Sequence, residues 1–95
     1  MNIYRISQNV NNNYDTYDSA VVVAESELEA ARIHPCTYDT YQYFDDEGYL
    51  RGIDGERESR YQDWVLHVKE VQVELLGTAK PGSLSGVICA SFNAG

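Results

Sequence analysis

"SAVVVAESELEA", Ser19–Ala30, is the stretch that decides the fold. From Ala20 to Ala24 it is a continuous apolar run rich in β-branched valine, which predicts a central strand covered on both faces. Immediately afterwards Ser26 and Glu29 stand at capping-box spacing, the serine to accept from an early helical amide and the glutamate to reach back. Glu27 and Glu29 also suit the positive end of a helix. Leu28, Ala31 and Ile33 are expected to face the sheet, and Pro35 to stop the helix at about His34. The local order is therefore strand, tight turn and short helix.

Outward from this unit, "NIYRIS" predicts a first strand over Asn2–Gln8, in which Tyr4 must share the buried face with Ile6. Asn11–Asn13 interrupt it, because asparagine tolerates left-handed backbone and hydrogen-bonds its own main chain. In "WVLHVKEVQVELLG", Trp64, Leu66 and Val68 alternate on one parity and Val71, Val73 and Leu75 on the other. A uniform strand cannot bury both sets, so a bulge or short turn is expected at Lys69–Glu70. A Pro-Gly loop, "AKPGSLSG", leads to a last apolar strand in "GVICASFNAG".

Residues 1–95 thus read as one α+β domain: a small, mostly antiparallel sheet of four or five strands with one short helix packed on it. Residues 36–63 form a polar, Tyr/Asp-rich insertion built on a hairpin, "YQYFDDEGYLRG", turning at Asp45–Gly48. With so little helix, one sheet face needs cover from that insertion or from a second subunit, so a homodimer is expected.

The charge is −8, from fifteen acids against seven bases. Direct nucleic-acid binding depends on counterion release to Lys and Arg, so it is disfavoured, as is an anionic membrane surface. A basic protein surface is the natural partner. No apolar run approaches the roughly 20 residues that span a bilayer, and "MNIYRISQNV" has no signal-peptide pattern, so the expected location is the cytosol. Cys36 and Cys89 are expected to be reduced thiols. No metal site and no cofactor are expected, since neither cysteine sits in a ligand-spaced motif.

Catalytic readings are weak. His34 beside Pro35 reads as a helix-end residue and His67 as a solvent-facing strand residue. Cys36 and His34, two apart across a proline, are poorly placed as nucleophile and base. Asp45 and Asp46 form a turn signature before an acid–base pair. The expectation is a binding protein and not an enzyme.

The tetrapeptide YDTY occurs twice, at Tyr14–Tyr17 and Tyr38–Tyr41. Its ordinary explanation is structural, since Tyr and Thr favour strands and Asp-Thr favours turns. Two functional readings compete with it. In one, Tyr38, Asp39, Tyr41, Tyr43, Asp45, Asp46, Glu47, Tyr49, Asp54 and Glu56 form a protein-binding face, with rigid aromatic contact area and carboxylates that imitate nucleic-acid charge. In the other, aromatics stack on the base of a small nucleotide. The ligand residues would then be Tyr14, Thr16, Tyr17 and Ser19, with Arg51, Arg57 and Arg60 on the phosphates.

"YDTYDSAVVVAES", "ARIHP" and "LLGTAKPG…GVICASFNAG" resemble a family of small proteins associated with bacteriophages and prophages. The resemblance covers about the first thirty-five residues and the last twenty-five or so, leaving the Tyr-rich middle without a counterpart. It carries over no catalytic residue. It implies a mobile-element origin and, by analogy, counter-defence: an inhibitor of the anti-CRISPR kind, a sponge for a nucleotide immune signal, or a self-assembling accessory protein.

Overall fold

The computed structural model describes residues 1–36 and 42–93. β1 (Asn2–Ser7) and β2 (Thr16–Ala24) form an antiparallel hairpin in which Tyr4 opposes Val22 and Ile6 opposes Ala20. β5 (Gln72–Thr78) pairs with β1 and β6 (Gly86–Asn93) with β2, giving the antiparallel order β5–β1–β2–β6. α1 (Glu27–Ala31) follows β2 directly. The insertion contributes a minimal hairpin of β3 (Tyr43–Phe44) and β4 (Leu50–Arg51), with Tyr43 opposite Arg51. The architecture is the small α+β fold expected, with both members of the β1–β2 hairpin inside the sheet.

Opposite residues in an antiparallel pair share a face. One face of the sheet therefore carries Tyr4, Ile6, Ala20, Val22 and Ala24, all buried in a single cluster with Ala30 of α1, with Phe44 and Leu50 from the insertion, and with Trp64 and Val65 just after it. Tyr4 does share the inner face with Ile6, which resolves the phase of the first strand. The insertion packs on the same side of the sheet as the helix. On the other face, Ile3, Ser7, Ser19 and Val21 are half-buried and Val23 is buried, while Arg5 and Cys89 are exposed. The expected cover on both faces is therefore unequal: the main core cluster seals one side of the Ala20–Ala24 run, and on the other side Val23 is buried and Val21 half-buried.

Several local expectations shift. α1 ends at Ala31 with Arg32 as its C-cap, short of His34, and it is Ala30 that is buried whereas Leu28 is 81% exposed. The small Ala30 lets a five-residue helix lie close to the sheet, and so short a helix has room for little else on its inner side. Ser26 accepts from the Glu29 amide at 3.2 Å, but the Glu29 carboxylate reaches the Glu25 amide, one residue earlier than a capping box places it. Trp64–Val68 is not a regular strand. Trp64 and Val65 are both buried, and a 3-10 turn at Val68–Glu70 absorbs the parity change before β5 begins. β5 also bulges: Ile3 opposes Gly77 and Tyr4 opposes Leu75, leaving Leu76 as the extra residue.

Buried polar side chains tie the Asn-rich loop to the insertion. Gln8 Oε1 accepts from the Val10 and Asn11 amides, while its Nε2 donates to the carbonyls of Asn11 and Tyr17. Asn11 Nδ2 donates to the carbonyls of Gln62 and Trp64, both at 3.0 Å, and the Tyr17 amide donates to the Asp63 carbonyl. Residues 62–64 are thereby held along β2 where β1 has ended.

Candidate functional site

Two places gather the candidate residues. The first is the β3–β4 hairpin, whose turn is organised by one carboxylate. Asp45 Oδ1 accepts from the Glu47 and Tyr49 amides at 3.0 and 2.9 Å, and Oδ2 accepts from Arg51 Nε at 2.8 Å. Arg51 also donates to the Gly55 carbonyl, and Arg32 of the helix end donates to the main-chain oxygens of Phe44 and Asp45. Burial pushes the Asp45 carboxyl up, but the Arg51 hydrogen bond, the Tyr49 and Glu47 amides and the Arg51 charge outweigh it. The net position is below the usual carboxylate range. The Asp45 hydrogen bond raises the Arg51 guanidinium in return, against the opposing pull of burial.

Tyr49 is half-buried between two cationic or aromatic neighbours. The Arg57 guanidinium lies over its ring at 3.8 Å, and the His67 ring meets it edge-on at 4.6 Å between centroids. Arg57 also reaches Glu47 Oε2 at 3.7 Å. His67 caps the 3-10 turn: Nδ1 accepts from the Lys69 amide, so the proton sits on Nε2 and is donated to the Glu47 carbonyl at 2.9 Å. That is a structural post for a residue expected to face solvent. Asp54 Oδ1 accepts from the Glu56 amide in a second tight turn, closed by the Gly52 amide donating to the Glu56 carbonyl.

The hairpin thus turns Asp45 inward onto Arg51 and lays Arg57 over Tyr49. Tyr43, Asp46, Glu47, Asp54 and Glu56 remain exposed. Tyr38, Asp39 and Tyr41, and with them the whole of the second YDTY copy, lie outside the described residues.

The second place is the end of the sheet where β2 starts and β6 finishes. The Tyr17 ring packs edge-on against Phe92 at 4.7 Å and against His34 at 6.5 Å; His34 in turn lies 6.5 Å from Trp64. The start of β2 and the end of β6, far apart in sequence, meet here, since Tyr17 opposes Phe92 and Ser19 opposes Ser91. Thr16 is buried with its hydroxyl donating to the Asn13 carbonyl, whereas Tyr14 is exposed beside Asp15 at φ 61°. Ser19 Oγ donates to Asp18. The two sets of nucleotide candidates therefore divide: Tyr14, Thr16, Tyr17 and Ser19 lie on this rim, while Arg51 and Arg57 belong to the hairpin and Arg60 is exposed.

Sequence reasoning missed one pairing here. His34 Nδ1 accepts from the Cys36 amide at 3.1 Å, which leaves the proton on Nε2, 3.3 Å from Asp63 Oδ1. Twenty-nine positions of sequence separate the two partners (63 − 34), so no local motif could announce them. Both imidazole nitrogens already face protein groups, and a general base needs one facing substrate. The arrangement ties the chain after α1 to Asp63.

Among the described residues, no cluster of three or more His, Cys, Asp or Glu side chains is arranged to hold a metal ion. No helix there is long and apolar enough to cross a membrane. Comparison with family models, with curated proteins and with solved structures finds no match to this chain.

Proposed function

We propose that this protein is a non-enzymatic inhibitor that uses its acidic hairpin to occupy a basic, nucleic-acid-binding surface of a host defence complex. The observation that carries this reading is the way the hairpin is built. Asp45, Arg51 and Arg32 brace it from within, so Tyr43, Asp46, Glu47, Asp54 and Glu56 project from a fixed base. Carboxylates held in place complement arginine and lysine better than carboxylates on a mobile loop, because less ordering entropy is lost on binding. The resemblance to phage-associated proteins points to the host as the source of the target.

The test is competition. The protein is titrated into purified CRISPR effector and related defence complexes carrying labelled guide or target strands. Displacement by the wild type, weakened on the order of tenfold or more by Asp46→Lys, Asp54→Lys and Glu56→Lys together, is expected. Asp45 is left intact because the turn depends on it. Absence of displacement across such a panel would refute the reading.

A second reading rests on the aromatic rim. Tyr17 and Phe92 stand edge to face where β2 and β6 meet, with Phe92 45% exposed, and a nucleotide base could stack there. On this reading the chain sequesters a small nucleotide signal. Its difficulty is charge, since Arg51 and Arg57 are engaged in the hairpin and, among the described residues, Arg60 is the insertion arginine outside any ion pair. Native mass spectrometry of protein purified from infected cells decides it: a mass lost on denaturation supports the sponge, and a bare chain removes it.

A further inference from the structure

Among the described residues β2 is the sole neighbour of β6 in the sheet, which makes β6 an edge strand. Edges expose rows of unpaired N–H and C=O groups, and proteins normally blunt them with charges, prolines or bulges. The opposite edge is blunted in this way: β5 carries Glu74 and bulges at Leu76. β6 bulges once, at Ile88, because Val21 opposes Cys89 while Val22 opposes Val87. From Cys89 to Asn93 it carries no extra residue of its own, the second register shift of this pair falling on β2 at Asp18, and its eight residues include no charge and no proline. Ile88, Cys89, Ala90, Ser91 and Phe92 are all exposed, Ile88 to 58%.

We propose that β6 is the interface for a second copy of this chain, paired antiparallel to its twin so that the two sheets become one. Charge selects this occupant. Two copies at −8 repel one another over most of their surface, whereas β6 and its outer-face neighbours Ser19 and Val21 are neutral. A basic partner finds no carboxylate on β6. A strand of this chain finds a backbone ladder and side chains matching its own, which is what an isologous contact requires.

The symmetry fixes the rest. An axis that keeps opposed residues on the same face must run perpendicular to the sheet and pass beside a residue that pairs with itself; the middle of β6 makes that residue Cys89 or Ala90. Both helix-bearing layers then lie on one side and both bare faces on the other. The strand is about 27 Å long, and such a contact covers on the order of 300 Å² per copy, below the roughly 800 Å² of a standard interface, so micromolar affinity is expected.

Sedimentation velocity between about 1 and 100 µM reads this directly and should show a monomer–dimer equilibrium. Ile88→Lys with Ser91→Lys, both at exposed positions, should raise the dimer dissociation constant at least tenfold while leaving the circular dichroism and thermal transition unchanged. The two Cys89 side chains would lie on the same face, directly opposite or one diagonal step apart, about 5–8 Å. A bis-maleimide of about that span should therefore join wild type and Cys36→Ser into covalent dimers and fail on Cys89→Ser. Should the lysines disturb the fold, the cross-link decides alone. A monomer throughout that concentration range overturns the proposal, as does a dimer that neither links through Cys89 nor responds to the lysines.

Discussion

At the residue scale, Asn11 shows how much one amide can hold. In sequence it is indistinguishable from Asn12 and Asn13, a turn-former among turn-formers, because adjacent polar residues differ only in partners that lie far along the chain. In the fold its side chain is buried and donates to two carbonyls of the Gln62–Trp64 segment. Asn11→Ala is expected to cost about 1–3 kcal/mol in urea unfolding, since one buried and one part-buried acceptor lose their donor. The exposed Asn12→Ala should stay within about 0.5 kcal/mol; equal effects at the two positions would remove the argument. Gly48 is the second such residue. Its φ is +93°, and an added Cβ would lie 2.6 Å from Val68 Cγ2 and 2.7 Å from the His67 ring. Strain and clash together predict that Gly48→Ala loses at least about 1–3 kcal/mol, measured in the same way.

At the scale of elements, the β3–β4 hairpin has only two paired residues per strand, too few to stand on main-chain bonds alone. Asp45 supplies what the ladder lacks. Its folded carboxyl binds a proton less readily than in the unfolded chain, so its contribution is complete above the ordinary carboxylate range, about pH 4. That contribution disappears as the pH falls through the lowered folded value. The protection of the Glu47 and Tyr49 amides against exchange, taken relative to their intrinsic rates at each pH, should fall on acidification in the wild type and be low at neutral pH already in Asp45→Asn. Identical profiles for the two proteins would show that the carboxylate does not hold the turn. Tyr61 responds oppositely. Its hydroxyl donates to Glu70 at 2.6 Å, and that hydrogen bond, with burial and the Glu70 charge, raises it above the usual phenol range. This contact is intact at neutral pH and is lost as the pH rises past about 10. The hairpin and its turn were legible from "FDDEG" because the turn chemistry is local. The burial of Ala30 in place of Leu28 was not, because a five-residue helix has too few turns to establish a face by periodicity.

At the scale of the whole molecule, the parity of Tyr4 with Ile6 and the valine run of β2 made the sheet readable, since burial repeats every second residue along a strand. Which strand lies beside which was not readable, because register is set by partners distant in sequence and by bulges at Leu76 and Ile88. The charge has a global effect of its own. Self-repulsion at −8 opposes compaction, so raising ionic strength from about 0.01 to 0.15 M should raise the melting temperature as the screening length contracts. A fall in melting temperature would mean that the attractive pairs, Asp45–Arg51 first among them, outweigh the repulsion. The strand order also dictates a sequence of assembly. β1 and β2 are neighbours in the chain and can close early, whereas β2 must wait for β6 across residues 25–85. While it waits, the far edge of β2 stands open to the β6 of any molecule nearby. Refolding at high concentration should therefore yield dimers that have exchanged β6, which dilution separates only as fast as the chains unfold.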